Sequence, residues 1–355
     1  MALAKYVKVG GIWKLATTEY VKVAGSWELV TSNYAKVGGD WKAVPIGEKQ
    51  IWCCEQGSDR LYGVDDEHTN LTGWPKYGGT IADPAAVACD DSGNSYWACA
   101  NNIYKYNLAG TLQWTYSGHT APVVSICLEN RLGLTYVYTG DTGGTVKCII
   151  DGGHVGATVW TKTPYVGTVF GLAVDVNNGQ LYAAYGIGAA GRVVRFITSN
   201  GNYANAYYDA TVNFFSIAID EGTPSLYIGD NAGYIRKIST AGYVYWTQDK
   251  LGEIYSIAAD GSYGYFTNGS YGHVGKFALA TGMNVWLDQP AGTSYGVAVD
   301  AFGNVYSTHG AYGSVNAVIR KNNSSGVEQW TWQPYVNSTW KGIAVGPGLK
   351  AAGFS

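Results

Sequence analysis

Apolar and polar positions alternate with a period of two through most of this chain, in short runs cut by Gly, Asn and Asp. A period of two belongs to strands, and the interruptions belong to tight turns. The runs recur at two different lengths. The first is seen in Tyr6-Val-Lys-Val-Gly-Gly-Ile-Trp-Lys-Leu15, repeated from Tyr20 to Leu29 and from Tyr34 to Ala43, a period of 14 residues. Each copy predicts two short strands around a two-residue Gly-Gly or Ala-Gly turn. That turn sets Lys8 opposite Trp13 and Tyr6 opposite Leu15. The Tyr/Lys/Trp/Leu side recurs in all three copies while Ile12 becomes Ser26 and then Asp40, so the recurrent side is the expected packed one.

The second repeat starts after Pro45-Ile46-Gly47. Its clearest copy runs Phe215–Asp220, Leu226–Asp230, Tyr234–Ser239 and Tyr243–Thr247, four strands a to d of one propeller blade. Further strand-a copies begin at Ala86, Val124, Gly171, Ile257, Gly296 and Gly342, roughly 38–46 residues apart, the length of a four-stranded blade. A Trp marks strand d at Trp114, Trp160, Trp246, Trp286 and Trp330. Six complete blades fit between Pro84 and Pro334. A lone strand a then remains at Lys341–Val345, and a set of b, c and d without an a opens the segment at Ile51–Cys54, Arg60–Val64 and Leu71–Tyr77, with Trp74 in the d position. The two ends complement each other. The expected fold is all-β: three tandem β-hairpin repeats over residues 1–46, then a seven-bladed β-propeller over residues 51–355 whose closing blade is shared between its ends, hiding its open edges.

Composition agrees and narrows the function. Charged residues are only 14% of the 355, while 49 Gly and 29 Tyr supply turns and strands. A net charge of −3 offers no electrostatic footprint for nucleic acid. The first 49 residues hold seven lysines against four acids, a mild excess that reads as solubility. No apolar run approaches the ~20 residues of a membrane span, and no charged-then-apolar leader opens the chain, so a protein made in a cytoplasm and independent of membranes is expected. The six cysteines show no zinc-type spacing and read as free, buried thiols.

Three resemblances follow from quoted residues. Gly296-Val-Ala-Val-Asp-Ala-Phe-Gly-Asn-Val-Tyr306 resembles the NHL-type propeller repeat. Phe277-Ala-Leu-Ala-Thr-Gly-Met-Asn-Val-Trp286 resembles the c-to-d Trp motif of quinoprotein-like propellers. The latter would imply a quinone and calcium only with further matching site residues, so no cofactor and no metal is expected. The Tyr-Val-Lys-Val-Gly-Gly-x-Trp-Lys unit is similar to hairpin repeats of tailed-phage virion proteins. It implies attachment to a particle through Tyr6, Lys8, Trp13, Tyr20, Lys22, Trp27, Tyr34, Lys36 and Trp41, with other virion proteins as partners and several copies per particle.

Candidate chemistry is sparse. Asp90, Asp175, Asp220, Asp260 and Asp300, with Glu129, stand where strand a meets the a–b turn. They read as turn caps before they read as cation ligands. On the opposite face the b–c loops carry Tyr185, Asn268, Tyr271, His273, His309 and Tyr312 among glycines, a mix that suits adaptable recognition and a host-surface glycan. Neither His273 with His309, nor Glu253 or Asp288 near another acid, makes a catalytic constellation, and no GxSxG, HExxH or P-loop occurs. Three readings stand in order: a non-enzymatic virion structural protein that displays its propeller as decoration or host-binding domain; a lyase or glycosidase acting on surface polysaccharide; a generic protein-binding propeller.

Overall fold

The computed structural model describes the strands within residues 6–9, 12–15, 20–23, 26–29, 32–37 and 40–45, and residues 50–77, 81–220, 224–269, 271–290, 292–300, 302–311, 317–333 and 339–346. The chain divides into two compact units, Met1–Glu48 and Lys49–Ser355. In the first, the strands pair antiparallel as Tyr6–Val9 with Ile12–Leu15, Tyr20–Val23 with Ser26–Leu29, and Ser32–Val37 with Asp40–Pro45. Tyr6 stands opposite Leu15, Lys22 opposite Trp27 and Lys36 opposite Trp41.

The second unit is a seven-bladed β-propeller of four-stranded antiparallel sheets, and no helix occurs among its described residues. We number the blades from the strand that starts at Pro84 and letter each blade's strands a to d from the inside out. Blade four, Phe214–Asp220, Ser225–Asp230, Tyr234–Ser239 and Val244–Asp249, shows how sequence sets position. Strand b is buried at every residue, whereas strand d alternates between exposed and half-buried. A strand covered on both faces reads as an unbroken apolar run, and an outer strand reads as alternation.

One row of residues recurs in four of the seven blades. Ala218 pairs with Tyr227, Tyr227 with Lys237, and Lys237 with Trp246. The same Ala-Tyr-Lys-Trp row is Ala88, Tyr96, Lys105 and Trp114 in blade one, and Ala258, Tyr265, Lys276 and Trp286 in blade five. The small residue on strand a leaves room for the ring beside it, and the Lys stem lies along the aromatics. The Trp at the end of the row then fastens each blade to the next. Its indole N–H donates to the c–d turn of the following blade: Trp114 to Asp151 Oδ1 at 2.9 Å, Trp160 to Thr198 O at 2.8 Å, Trp246 to Leu279 O at 3.3 Å and Trp286 to Ser324 O at 3.2 Å. Blade three carries Ala204 at this position and lacks the latch.

The seventh blade is assembled from both ends of the unit. Trp340–Val345 pairs with Ile51–Glu55, which pairs with Arg60–Val64 and then with Lys76–Tyr77. Ile343 stands opposite Cys53 and Val345 opposite Ile51. The outer strand is shorter than the seven residues the sequence suggests, because Pro75 removes a donor inside it. Trp74 lies just before that strand and still donates to Leu108 O of blade one at 3.2 Å. All six cysteines are free and buried. Burial pushes their thiols up, that of Cys54 to about 12 despite the amide of Gly342 donating to its sulfur.

Candidate functional site

The strongest surface feature arises from a defect repeated in the innermost strands. Each strand a slips register by an extra residue against strand b, for example between Val169 and Gly171, between Phe214 and Ser216, and between Ile254 and Ser256. A bulged residue leaves the alternation and re-aims its side chain. Strand a lines the central channel, and the bulge lies at its start, on the face of the b–c and d–a loops. In blades three to six the residues at the bulge include Phe170, Phe215, Tyr255 and Tyr295; in blade seven, Lys341 occupies this place.

These side chains meet one another from blade to blade. Ring centroids lie 4.8 Å apart for Phe170 and Phe215, 5.7 Å for Phe215 and Tyr255, and 5.5 Å for Tyr255 and Tyr295. The last two pairs are nearly parallel, at 19° and 15°. Lys341 Nζ then sits 3.9 Å from the Tyr295 ring centroid, a close cation–π contact. The result is a continuous crescent of four half-buried rings, ended by an ammonium, around one mouth of the channel. Two glycines make its footing: a Cβ at Gly269 would lie 2.4 Å from the Tyr255 ring, and one at Gly310 would lie 2.9 Å from that of Tyr295. Burial raises the Tyr255 and Tyr295 hydroxyls above their ordinary range and draws Lys341 down, so both phenols remain proton donors at neutral pH. Flat apolar faces with a few fixed polar groups suit a ligand that has both, such as a sugar ring.

Four of the six residues read from the sequence as a ligand face, Tyr185, Asn268, His273 and His309, are buried in the fold. Tyr185 is fully buried, and its hydroxyl donates to Gly144 O at 3.2 Å. Asn268, also fully buried, donates through Nδ2 to the carbonyls of Lys250 and Leu251 at 2.9 and 2.6 Å, and its Oδ1 accepts the His273 amide at 2.9 Å. His273 is buried behind it and held below the usual histidine range by that burial. His309 lies between Ser294 Oγ and Ser307 Oγ, 2.8 Å from each, and burial, with Arg320 nearby, takes its pKa down to about 3. These four hold the loops together, and their hydrogen-bonding capacity is committed inside the fold. Tyr271 is presented, 54% exposed and stacked on His273. Tyr312 lies outside the described residues, as do the side chains of Tyr6, Lys8, Trp13, Tyr20, Lys22, Trp27, Tyr34, Lys36 and Trp41.

On the other face the acids cap turns. Asp90 Oδ1 accepts the amides of Ser92 and Asn94, Asp260 those of Ser262 and Tyr263, and Asp300 those of Phe302 and Asn304, all at 2.7–3.0 Å. Asp175 accepts the Asn178 amide at 3.1 Å, whereas Glu129 takes the Tyr138 hydroxyl at 2.5 Å instead. Asp220 is buried at the equivalent corner of blade four. Asp288 is held by Arg320 at 2.8 Å.

The signal for the crescent was present in the sequence as an aromatic one residue ahead of the strand-a Gly or Ser: Phe170-Gly171, Phe215-Ser216, Tyr255-Ser256 and Tyr295-Gly296. Alternation alone assigns no special role to that position.

No protein-family model and no curated protein matches the chain. Its fold is similar to that of solved structures at low identity. A computationally designed protein, Ika8, aligns with a TM-score of 0.55 at 12% identity over 78% of each chain. Raptor from Chaetomium thermophilum aligns with a TM-score of 0.60 at 12% identity over 71% of this chain and 25% of its own. A protein of unknown function from Bacteroides caccae aligns with a TM-score of 0.51 at 10% identity over 84% of this chain and 99% of its own. Likeness at this level speaks for the fold alone.

Proposed function

We propose that this chain is a non-enzymatic structural protein of a tailed-phage particle. Its hairpin repeats, residues 1–46, dock on other virion proteins, and its propeller carries a glycan-binding crescent outward to the host surface. The observation behind the binding half is the continuous run of contacting rings Phe170, Phe215, Tyr255 and Tyr295, the last two pairs nearly parallel, with Lys341 at its end. Sugars present C–H faces to such rings and hydroxyls to the phenols and the ammonium, and a row of contacting rings accommodates successive residues of a chain polymer. The docking half rests on the three Tyr/Lys/Trp repeats and their resemblance to virion hairpins.

Mass spectrometry of purified particles tests the docking half. The protein is expected in particles when complete and absent from them when residues 1–46 are deleted. Incorporation of the deleted form refutes docking through the repeats.

A further inference from the structure

Two blade interfaces hold a carboxylate, buried at Asp151 and partly exposed at Asp66, against a Tyr hydroxyl and a Lys ammonium. Between blades one and two, the Asp151 carboxylate accepts from Tyr96 Oη at 2.7 Å, Lys105 Nζ at 2.5 Å and Trp114 Nε1 at 2.9 Å. Between blades six and seven, the Asp66 carboxylate accepts from Tyr306 Oη at 2.6 Å and from Lys321 Nζ at 2.6 and 2.7 Å, while its backbone carbonyl takes Trp330 Nε1 at 2.9 Å.

Between blades five and six the Lys and Trp donors are present, Tyr265 Oη donates to Asp260 Oδ2 at 2.7 Å, and no carboxylate stands at the c–d turn among the described residues. Trp286 Nε1 donates to Ser324 O at 3.2 Å, just as Trp330 does to Asp66 O, so Ser324 stands in the place of Asp66. Its side chain is too short to reach the lysine as a carboxylate does. A cleft of about 440 Å³ opens there, lined by Asp260, Tyr263, Tyr265, Lys276, Asp300 and Phe302 among others. Lys276 is only 7% exposed and lines this cleft. Its ammonium rests 3.9 Å from the Tyr263 ring centroid and makes its hydrogen bond among the described residues to Ser324 O at 3.2 Å, leaving donor capacity unused. Between blades four and five, Lys237 has no carboxylate partner among the described residues, and the buried side chain of Leu279 fills the corresponding turn.

We propose that the cleft between blades five and six binds a small organic carboxylate, seated on Lys276 as Asp66 and Asp151 are seated on Lys321 and Lys105. The acids already there do not forbid it. At the first interface Tyr96 Oη lies 3.0 Å from Asp90, the counterpart of Asp260, and 2.7 Å from Asp151, so a turn-capping acid and a second carboxylate share one tyrosine. Phe302, 55% exposed at the rim, adds an apolar wall, and the volume suits a molecule of monosaccharide size. This site lies on the face opposite the crescent and does not depend on the glycan reading.

Titration of the full chain with acetate and with glucuronate, followed by amide NMR shifts at constant ionic strength against chloride, tests the proposal. Saturable shifts around Lys276, Tyr263 and Phe302 are expected with both acids. Lys276→Gln is expected to weaken binding about tenfold or more, the worth of a charge-assisted hydrogen bond. Ser324→Asp places a carboxylate on the lysine from within, and is expected to abolish binding and raise the thermal midpoint. Ser324 is exposed, so this variant remains informative if Lys276→Gln fails to fold. Lys237→Gln is expected to leave binding unchanged. Absence of saturable shifts with either acid, or undiminished binding in Ser324→Asp, overturns the proposal.

Discussion

Trp330, on the outer strand of blade six, donates its indole N–H at 2.9 Å to the carbonyl oxygen of Asp66, 264 positions earlier in the chain. It is the same latch that joins neighbouring blades elsewhere, here spanning the two ends of the propeller. The Asp66 carboxylate reinforces it by pairing with Lys321, whose ammonium is largely buried. Replacing Asp66 by Ala leaves that charge without its partner at the ring's closure. We expect a loss of about 2 kcal/mol, less than for a fully buried pair because Asp66 is partly exposed to solvent. Urea unfolding measures it, and an unchanged midpoint would show that closure does not rest on this pair.

The shared blade makes the two ends of the chain unequal. A chain ending at Gln333 loses Trp340–Val345 and leaves Ile51–Glu55 with an open edge, so it should lose cooperative thermal unfolding and aggregate. A chain starting at Lys49 should keep the melting transition of the propeller. Equal behaviour of the two truncations by circular dichroism and light scattering would contradict the shared blade.

In that same blade, Gly63 takes the place that lysine holds in four other blades, and Trp52 takes the place of tyrosine. A Cβ at Gly63 would lie 2.3 Å from the Trp52 ring, which is fully buried against Trp74 and Trp97. Gly63→Ala should therefore destabilise by about 2–3 kcal/mol through overpacking, read as a lowered urea midpoint.

His309 supplies a pH dependence. Its folded pKa of about 3 lies well below the ordinary 6.5, because burial and the neighbouring Arg320 oppose a second proton. Its contribution is complete above pH 6.5 and is lost as pH falls toward 3, since only the unfolded chain takes up the proton in that window. At about 1.4 kcal/mol per pH unit, this one group accounts for about 3 kcal/mol between pH 6.5 and about pH 4. His309→Gln should flatten that part of the stability–pH curve, and an unaltered slope would place the acid sensitivity elsewhere.

The blade count and the shared closing blade were legible because buried strands read as apolar runs, turns read as Gly and Asp, and strands can be counted until a surplus at one end matches a deficit at the other. The latch tryptophans were visible as a recurrent residue but not as a bond, since their partners lie one blade further on. The burial of four candidate face residues, Tyr185, Asn268, His273 and His309, was not legible for a related reason. Asn268 and His309 end their b strands and His273 follows in a Gly-rich turn; such turns must satisfy their own backbone, and a sequence does not say which task a polar side chain there performs. Phe170, Phe215, Tyr255 and Tyr295 escaped because a bulge pairs two residues against one, which interrupts the alternation that marks the strand.

The central claim is that the crescent recognises glycans. A glycan array comparing the intact protein with the Tyr255→Ala, Tyr295→Ala double variant tests it most directly, with thermal midpoints recorded for both. The account predicts binding by the intact protein to a defined set of host-surface glycans, and loss of that signal in a variant that remains folded. Absence of signal from the intact protein, or equal signal from both, would contradict it.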